Sequence, residues 1–228
     1  VKLGLPIGLT LLAEVGAFSL AGGLAAGPGL ALLRAALKTP YDISGAAMMG
    51  RDAWVVSDET RAMQKVTVDR SAKQVTGGDM LSLLPGKKPE LDLEGITGST
   101  DGSSWFATGS HSVARKSGEV QSDRRGVYRI SRDGRRVTPA SLVPLILSDD
   151  ALKDSLGKSS DKGGLDIEGI AERGGRLWFG LRAPNIEGQA CIIEVGAREL
   201  FADESRAEHR KHLLALGDGF GIRDLASV

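Results

Sequence analysis

The sequence predicts an all-β chain, a β-propeller of four-stranded antiparallel blades, and three observations predict it. One short pattern recurs. Asp42-Ile43-Ser44-Gly45-Ala46-Ala47 precedes Trp54, Asp92-Leu93-Glu94-Gly95-Ile96-Thr97 precedes Trp105, and Asp166-Ile167-Glu168-Gly169-Ile170-Ala171 precedes Trp178, at Asp-to-Trp distances of 12, 13 and 12. Such self-similarity marks architectures whose units bury their apolar faces only by stacking on neighbours. Second, each pattern is followed by apolar runs of strand length, with Asp101-Gly102, Asp133-Gly134 and Gly174-Gly175 as hairpin turns between them. Third, the units begin at aligned positions 42, 92, 166 and 223 and so step by 50, 74 and 57 residues, the length of a radially arranged blade. The last unit, Gly221-Ile222-Arg223-Asp224-Leu225-Ala226, is followed only by Ser227 and Val228. The expectation is therefore an incomplete propeller of about three and a half blades, with open strand edges.

Residues 1–33 stand apart from the propeller, which is assigned to 34–228. Leu, Ala and Gly dominate them, and Glu14 is the only charge between Lys2 and Arg34. Lys2, the apolar run Leu3 to Ala13 and the small residues Ala21 to Ala26 resemble a secretory signal peptide, hence a periplasmic or secreted protein. The run from Val15 to Leu33 also has the length of a membrane anchor, and a plain linker is the third reading.

Within each unit the first apolar run follows the Asp, the second carries the Trp, and the third is Met63 to Val68, Val127 to Ile130 or Ala190 to Val195. The Trp residues read as packing elements between adjacent blades, because stacked sheets must fill the wedge between them. The long step is explained by Ser148 to Gly157, which reads as an inserted surface helix with a serine N-cap, acids in its first turn and a terminal glycine. The charged segment Asp203 to His212 reads as a second insertion with a solvated face.

Composition removes several functions. The 29 basic and 29 acidic residues cancel, so nothing in the charge balance suits nucleic acid or an anionic membrane surface. A single cysteine, Cys191, inside the apolar run 190–193, excludes an internal disulfide framework and reads as a buried thiol. No Gly-x-Ser-x-Gly, His-Glu-x-x-His or phosphate-binding loop occurs.

What remains is a set of polar loops. Because successive strands run antiparallel, the loop leading into a first strand and the loop between second and third strands share one face. That face is expected to gather Asp42, Asp92, Glu94, Asp166, Glu168 and Arg223 with Asp58, Glu59, His111, Arg182 and Asn185. Three readings fit. Asp92, Glu94, Asp166 and Glu168 suit a hard cation such as Ca²⁺. His111 or a carboxylate as general base, with Arg182 as anion clamp, suits ester or phosphoester hydrolysis. The acids also suit turn capping and ion pairing with Arg. Ser110 beside His111 is no triad, since neighbours on an extended segment point to opposite sides.

Several motifs in order complete the picture: Asp92 to Ile96, Gly109-Ser110-His111-Ser112, Arg124-Arg125-Gly126-Val127-Tyr128-Arg129-Ile130, Gly164 to Ile170, Gly180 to Pro184 and Gly221 to Leu225. Together they resemble the bacterial family DUF3616 over residues 42 to 226. The resemblance implies a β-propeller, more distantly similar to the esterase-like domain of phytase, with no assigned activity and no catalytic residues to transfer. Relative to that family the chain stops before the last blades. The expected functions are a secreted propeller that binds a small ligand or cation at its acidic face, with ester hydrolysis as an activity. The alternatives are a non-catalytic protein-interaction scaffold, or a nonfunctional fragment.

Overall fold

The computed structural model describes residues 42–227 except 70, 72, 73, 87–89 and 116, with the backbone of 9–10 and 34–36. The leader expected over 1–33 lies outside these residues, apart from β1 (Leu9–Thr10), whose backbone pairs with β15 (Ala226–Ser227). No helix among the described residues is long and apolar enough to cross a membrane.

The repeated pattern folds as repeated sheets. The first sheet orders β3 (Gly45–Met49), β4 (Asp52–Val56), β5 (Ala62–Asp69) and β6 (Gln74–Ser82) as an antiparallel meander, with β2 (Arg34–Ala36) added in parallel beside β6. The second contains β7 (Leu93–Gly98), β8 (Ser104–Gly109), β9 (Val127–Ser131) and β10 (Val137–Ala140). The third contains β11 (Asp166–Arg173), β12 (Arg176–Ala183), β13 (Ala190–Gly196) and β14 (His209–Leu214). Strands β3, β7 and β11 are successive neighbours, so they form the inner edge about which the sheets are arranged.

The motif glycine has a steric cause. A Cβ on Gly45 would lie 3.0 Å from the Gly95 Cα, one on Gly95 3.0 Å from the Ile170 side chain, and one on Gly169 2.9 Å from the Asp224–Leu225 backbone. Each unit's inner strand thus presses its glycine against the next unit's inner segment. Backbone bonds reinforce the stack: the Leu91, Ile167 and Ile222 N–H groups donate to the carbonyls of Thr60, Ser110 and Leu181 at 3.0, 2.8 and 2.9 Å.

Apolar side chains fill the wedges. Trp54, Met63, Leu93, Trp105 and Ile130 pack between the first and second sheets, whereas Phe106, Val127, Leu177, Phe179 and Ile193 pack between the second and third. The Trp is not at one fixed place. Trp54 pairs with Ala47 and Trp178 with Ala171, each two residues past the motif glycine, but the matching Thr97 pairs with Phe106. Residues 99–104 close a longer hairpin than the two-residue turns at Gly50-Arg51 and Gly174-Gly175, so the register advances by two and Trp105 falls one position earlier. A one-residue offset reverses the face of a strand side chain. Trp105 therefore points back to the first sheet while Phe106 takes the forward wedge.

Two further expectations are corrected. The inserted helix is α1 (Val143–Ser148), not Ser148 to Gly157; Pro144 opens it, Leu145 and Ile146 bury it, and Ser148 is its last residue. Residues 149–157 form turns and a short 3-10 segment at Lys153–Ser155, because the Asp149 carboxylate binds the Ala151 N–H and two side chains of β14. The second charged segment is not an insertion. After α2 (Ala197–Ala202) it becomes β14, the fourth strand of the third sheet, with Lys211 and His209 bonded to Asp149 at 2.7 and 2.8 Å and His212 to Glu194 at 2.6 Å.

Candidate functional site

Antiparallel order brings the polar loops to one end of the inner strands. Asp166 and Glu168 lie at the start of β11, where Arg182 near the end of β12 donates through Nη1 to Glu168 Oε1 at 2.8 Å and to Asp166 Oδ2 at 3.3 Å. Arg223, from the fourth unit, donates to Glu168 Oε2 at 2.9 Å. One arginine from within the unit and one from the next therefore clamp the same carboxylate. Burial and the Glu168 charge outweigh Arg182 at Asp166, whose pKa is pushed up to about 6.

Asp92 sits one unit back, in the left-handed region at φ 54°, which Asp tolerates better than most residues. Its Oδ2 accepts the Ser110 hydroxyl, the Ser112 hydroxyl at 3.3 Å and Arg124 Nη1 at 3.1 Å, and Arg124 also binds Glu90. These partners were not legible as site residues. Arg124 and Ser110 lie within motifs of the family resemblance, but only folding shows that they converge on Asp92.

Glu94 is different. It lies on β7, between the Asp92 and Asp166 groups, and no hydrogen bond or ion pair reaches its carboxyl among the described residues. Burial, followed by the charges of Asp92, Glu168, Asp166 and Asp58, pushes its pKa up to about 9. At neutral pH Glu94 is therefore a neutral acid with a proton to donate. Asp58, from the loop after β4, brings a carboxyl from the first unit. Burial and then Asp92 raise its pKa, and its buried Oδ1 has no hydrogen-bond partner.

The structure thus brings together Asp58, Asp92, Glu94, Asp166, Glu168, Arg182 and Arg223. Glu59 and Asp42 stand exposed beside them. Asn185 is bonded to the Phe220 carbonyl at 2.8 Å and ties the third unit's loop to the fourth unit. His111 departs from the group. It is 1% exposed, at φ 60°, and the Leu142 N–H donates to its Nε2 at 3.3 Å, which leaves Nδ1 to donate to the Gly109 carbonyl at 3.0 Å. Burial pushes its pKa down to about 4. With both nitrogens occupied by backbone, this ring holds α1's first residues to the second sheet and offers no base to the loop face.

No group of three His, Cys, Asp or Glu side chains that could hold a metal ion occurs among the described residues. Asp92, Asp166 and Glu168 face guanidinium groups instead, and Glu94 keeps its proton.

A family profile, described as a protein of unknown function, matches residues 42–137 and 135–228. The chain belongs to the DUF3616 family. No curated protein matches its sequence. Solved structures similar to this DUF3616 protein include Kuenenia stuttgartiensis hydrazine synthase, at 13% identity and TM-score 0.42, covering 75% of this chain and 38% of that one. The hemopexin-fold protein CP4 from cow pea aligns at 9% identity and TM-score 0.41, over 76% and 68% of the two chains. A luciferin-regenerating enzyme aligns at 13% identity and TM-score 0.34, over 82% and 49%. The DUF3616 chain spans well under half of the hydrazine synthase chain and about half of the luciferin-regenerating enzyme.

Proposed function

We propose that the acidic loop face binds a small organic cation, a protonated amine, and that Glu94 is the group that reads it. The observation that carries this reading is a carboxyl without a partner, set among four further carboxyl groups and holding its proton to about pH 9. Arg124, Arg182 and Arg223 are each ion-paired with other carboxylates, and Arg182 acts on Glu94 only through its charge, without a hydrogen bond. An arriving ammonium replaces that proton with a bound positive charge, and the neighbouring carboxylates, whose charges add to burial in raising the pKa, attract the ligand. Binding therefore expels a proton and strengthens as pH rises toward 9.

The proposal is binding without a chemical step; His111, one of the two kinds of base that hydrolysis could use, is closed off. A periplasmic or secreted location belongs to the same proposal and rests on the apolar composition of residues 1–33.

Titration calorimetry with ethylamine and 1,4-diaminobutane, run in two buffers of different ionisation enthalpy, tests it. The expected results are release of about one proton per amine at pH 7.5, tighter binding at pH 8.5 than at 6.5, and a loss of about tenfold or more in Glu94→Gln. Amine binding indifferent to Glu94→Gln contradicts the proposal. No heat with either amine also contradicts it and favours the protein-scaffold reading of this face.

A further inference from the structure

A cavity lies away from the acidic loop face, and two adjacent arginines divide between the two places. Arg124 turns to Glu90 and Asp92, while Arg125 has no carboxylate and no hydrogen-bond partner among the described residues, and its Nε is buried. Arg125 lines a cavity of about 490 Å³ open to solvent, together with Ser122, Asp123, Tyr128, Ser141 and Glu204. The cavity opens where the loop before β9, strands β9 and β10, and the start of α1 meet.

Three polar groups in it are incompletely satisfied. Tyr128 is 1% exposed as a residue, and its hydroxyl, the end that is not fully buried, has no partner among the described residues. Burial pushes the pKa of that hydroxyl up to about 12, so it remains a donor. Gly126 makes room for it, since a Cβ there would lie 2.2 Å from the Tyr128 oxygen. Arg125 supplies a charged donor. Glu204 supplies the opposite charge and accepts only the Ser141 backbone N–H, without forming an ion pair to Arg125. Asp123, by contrast, is neutralised by Arg61 at 2.9 Å.

We infer that this cavity binds a small zwitterion of the amino-acid class, with its carboxylate on Arg125 and the Tyr128 hydroxyl and its ammonium toward Glu204. A guanidinium fork matches a carboxylate better than any other side chain does. A cation and a carboxylate that line one cavity without meeting are complementary to a ligand carrying both charges. Bare anions lack the group that Glu204 would receive, and bare amines are repelled by Arg125. This inference does not depend on the acidic mouth, whose residues line a different space.

Nuclear magnetic resonance of the full chain tests it, reading the Arg125 Nε–H and Tyr128 ring signals while glycine, acetate or inorganic phosphate is added. Glycine is expected to shift both signals saturably. Acetate and phosphate are expected to bind about tenfold more weakly or worse. Arg125→Gln and Glu204→Gln should each weaken glycine binding by about tenfold, and Tyr128→Phe by about threefold, with unfolding temperatures close to that of the parent. Acetate or phosphate binding as tightly as glycine overturns the zwitterion assignment. Glycine shifts that survive Arg125→Gln, or no shift with glycine at all, overturn the site itself.

Discussion

At the scale of single residues, Glu94 and His111 show how position overrules type. Both are ionisable groups near one motif, yet Glu94 keeps at neutral pH a proton it would lose in water, and His111 stays neutral in the mildly acidic range between about 4 and 6.5 where a free imidazole takes up a proton. The consequence for Glu94 has a definite sign. A carboxyl whose folded pKa is about 9 against an unfolded 4.5 binds its proton more tightly in the native state, so stability falls as pH rises through that window. Replacing Glu94 by Gln mimics the neutral acid and removes the penalty. Denaturant unfolding of Glu94→Gln should show a shallower loss of stability between pH 5 and 9 than the parent, with a gain of about a few kcal/mol at the alkaline end; parallel pH profiles would refute the assignment. For His111 the expectation is structural. His111→Ala removes two backbone contacts and fills a left-handed position with a residue poorly suited to it, and chemical denaturation should show a loss of about 2–4 kcal/mol. A loss within 0.5 kcal/mol, about the size of an ordinary surface substitution, would return His111 to the list of exposed loop residues.

At the scale of elements, the inner strands depend on the motif glycine. A Cβ on Gly169 would meet only backbone of the fourth unit, at 2.9 Å, whereas one on Gly95 would meet the Ile170 Cγ2 methyl at 3.0 Å and the Ile170 backbone N at 3.3 Å. Gly169→Ala should therefore cost more than Gly95→Ala, with the latter near 1–3 kcal/mol by thermal or denaturant unfolding; equal costs would mean that the close approach is not what fixes the glycine. The link between α1's end and β14 makes a second test. Burial opposes ionisation of Asp149, but its bonds to Lys211 and His209 prevail and hold its carboxyl below the ordinary 3.8. Its stabilisation is present above the unfolded pKa and is lost as pH falls through the folded value. Asp149→Asn should cost about 1–3 kcal/mol at pH 7 and narrow the difference from the parent in strong acid. A constant difference at all pH values would argue for packing instead.

These elements also show what sequence patterning can carry. The first three runs of each unit, the shared loop face and the acids upon it were legible because they follow from repetition and strand alternation, whereas the fourth strand was not, and β14 read as part of a charged insertion. The shift between Trp105 and Phe106 was not, since it depends on how many residues the 99–104 hairpin closes rather than on which residues it contains. The helix was placed late for a related reason: Ser148-Asp149-Asp150 has the composition of a helix start, but the apolar stretch Leu142 to Ile146 had a core to enter and took the helix with it. His111 looked exposed among Ser and Gly neighbours because nothing local reveals that Leu142, 31 residues onward, comes to cover it.

For the molecule as a whole, stacking successive units around their inner strands forces carboxyls from separate units into a single field. Asp58 comes from the first, Asp92 and Glu94 from the second, Asp166 and Glu168 from the third, and the fourth contributes Arg223 in partial compensation. Burial is the largest cause of the Glu94 shift, and charges from the first and third units add to that of Asp92 in its own unit. The pKa of Glu94 is thus a reading of the assembled sheets as well as of the site. The most direct measurement is a carbon-13 titration of the Glu94 carboxyl in the full chain, repeated in Asp166→Asn. The account predicts a midpoint of about 9 in the parent and a lower one once the third unit's charge is removed. A midpoint near 4.5, unchanged by Asp166→Asn, would contradict both the shared field and the binding reading built upon it.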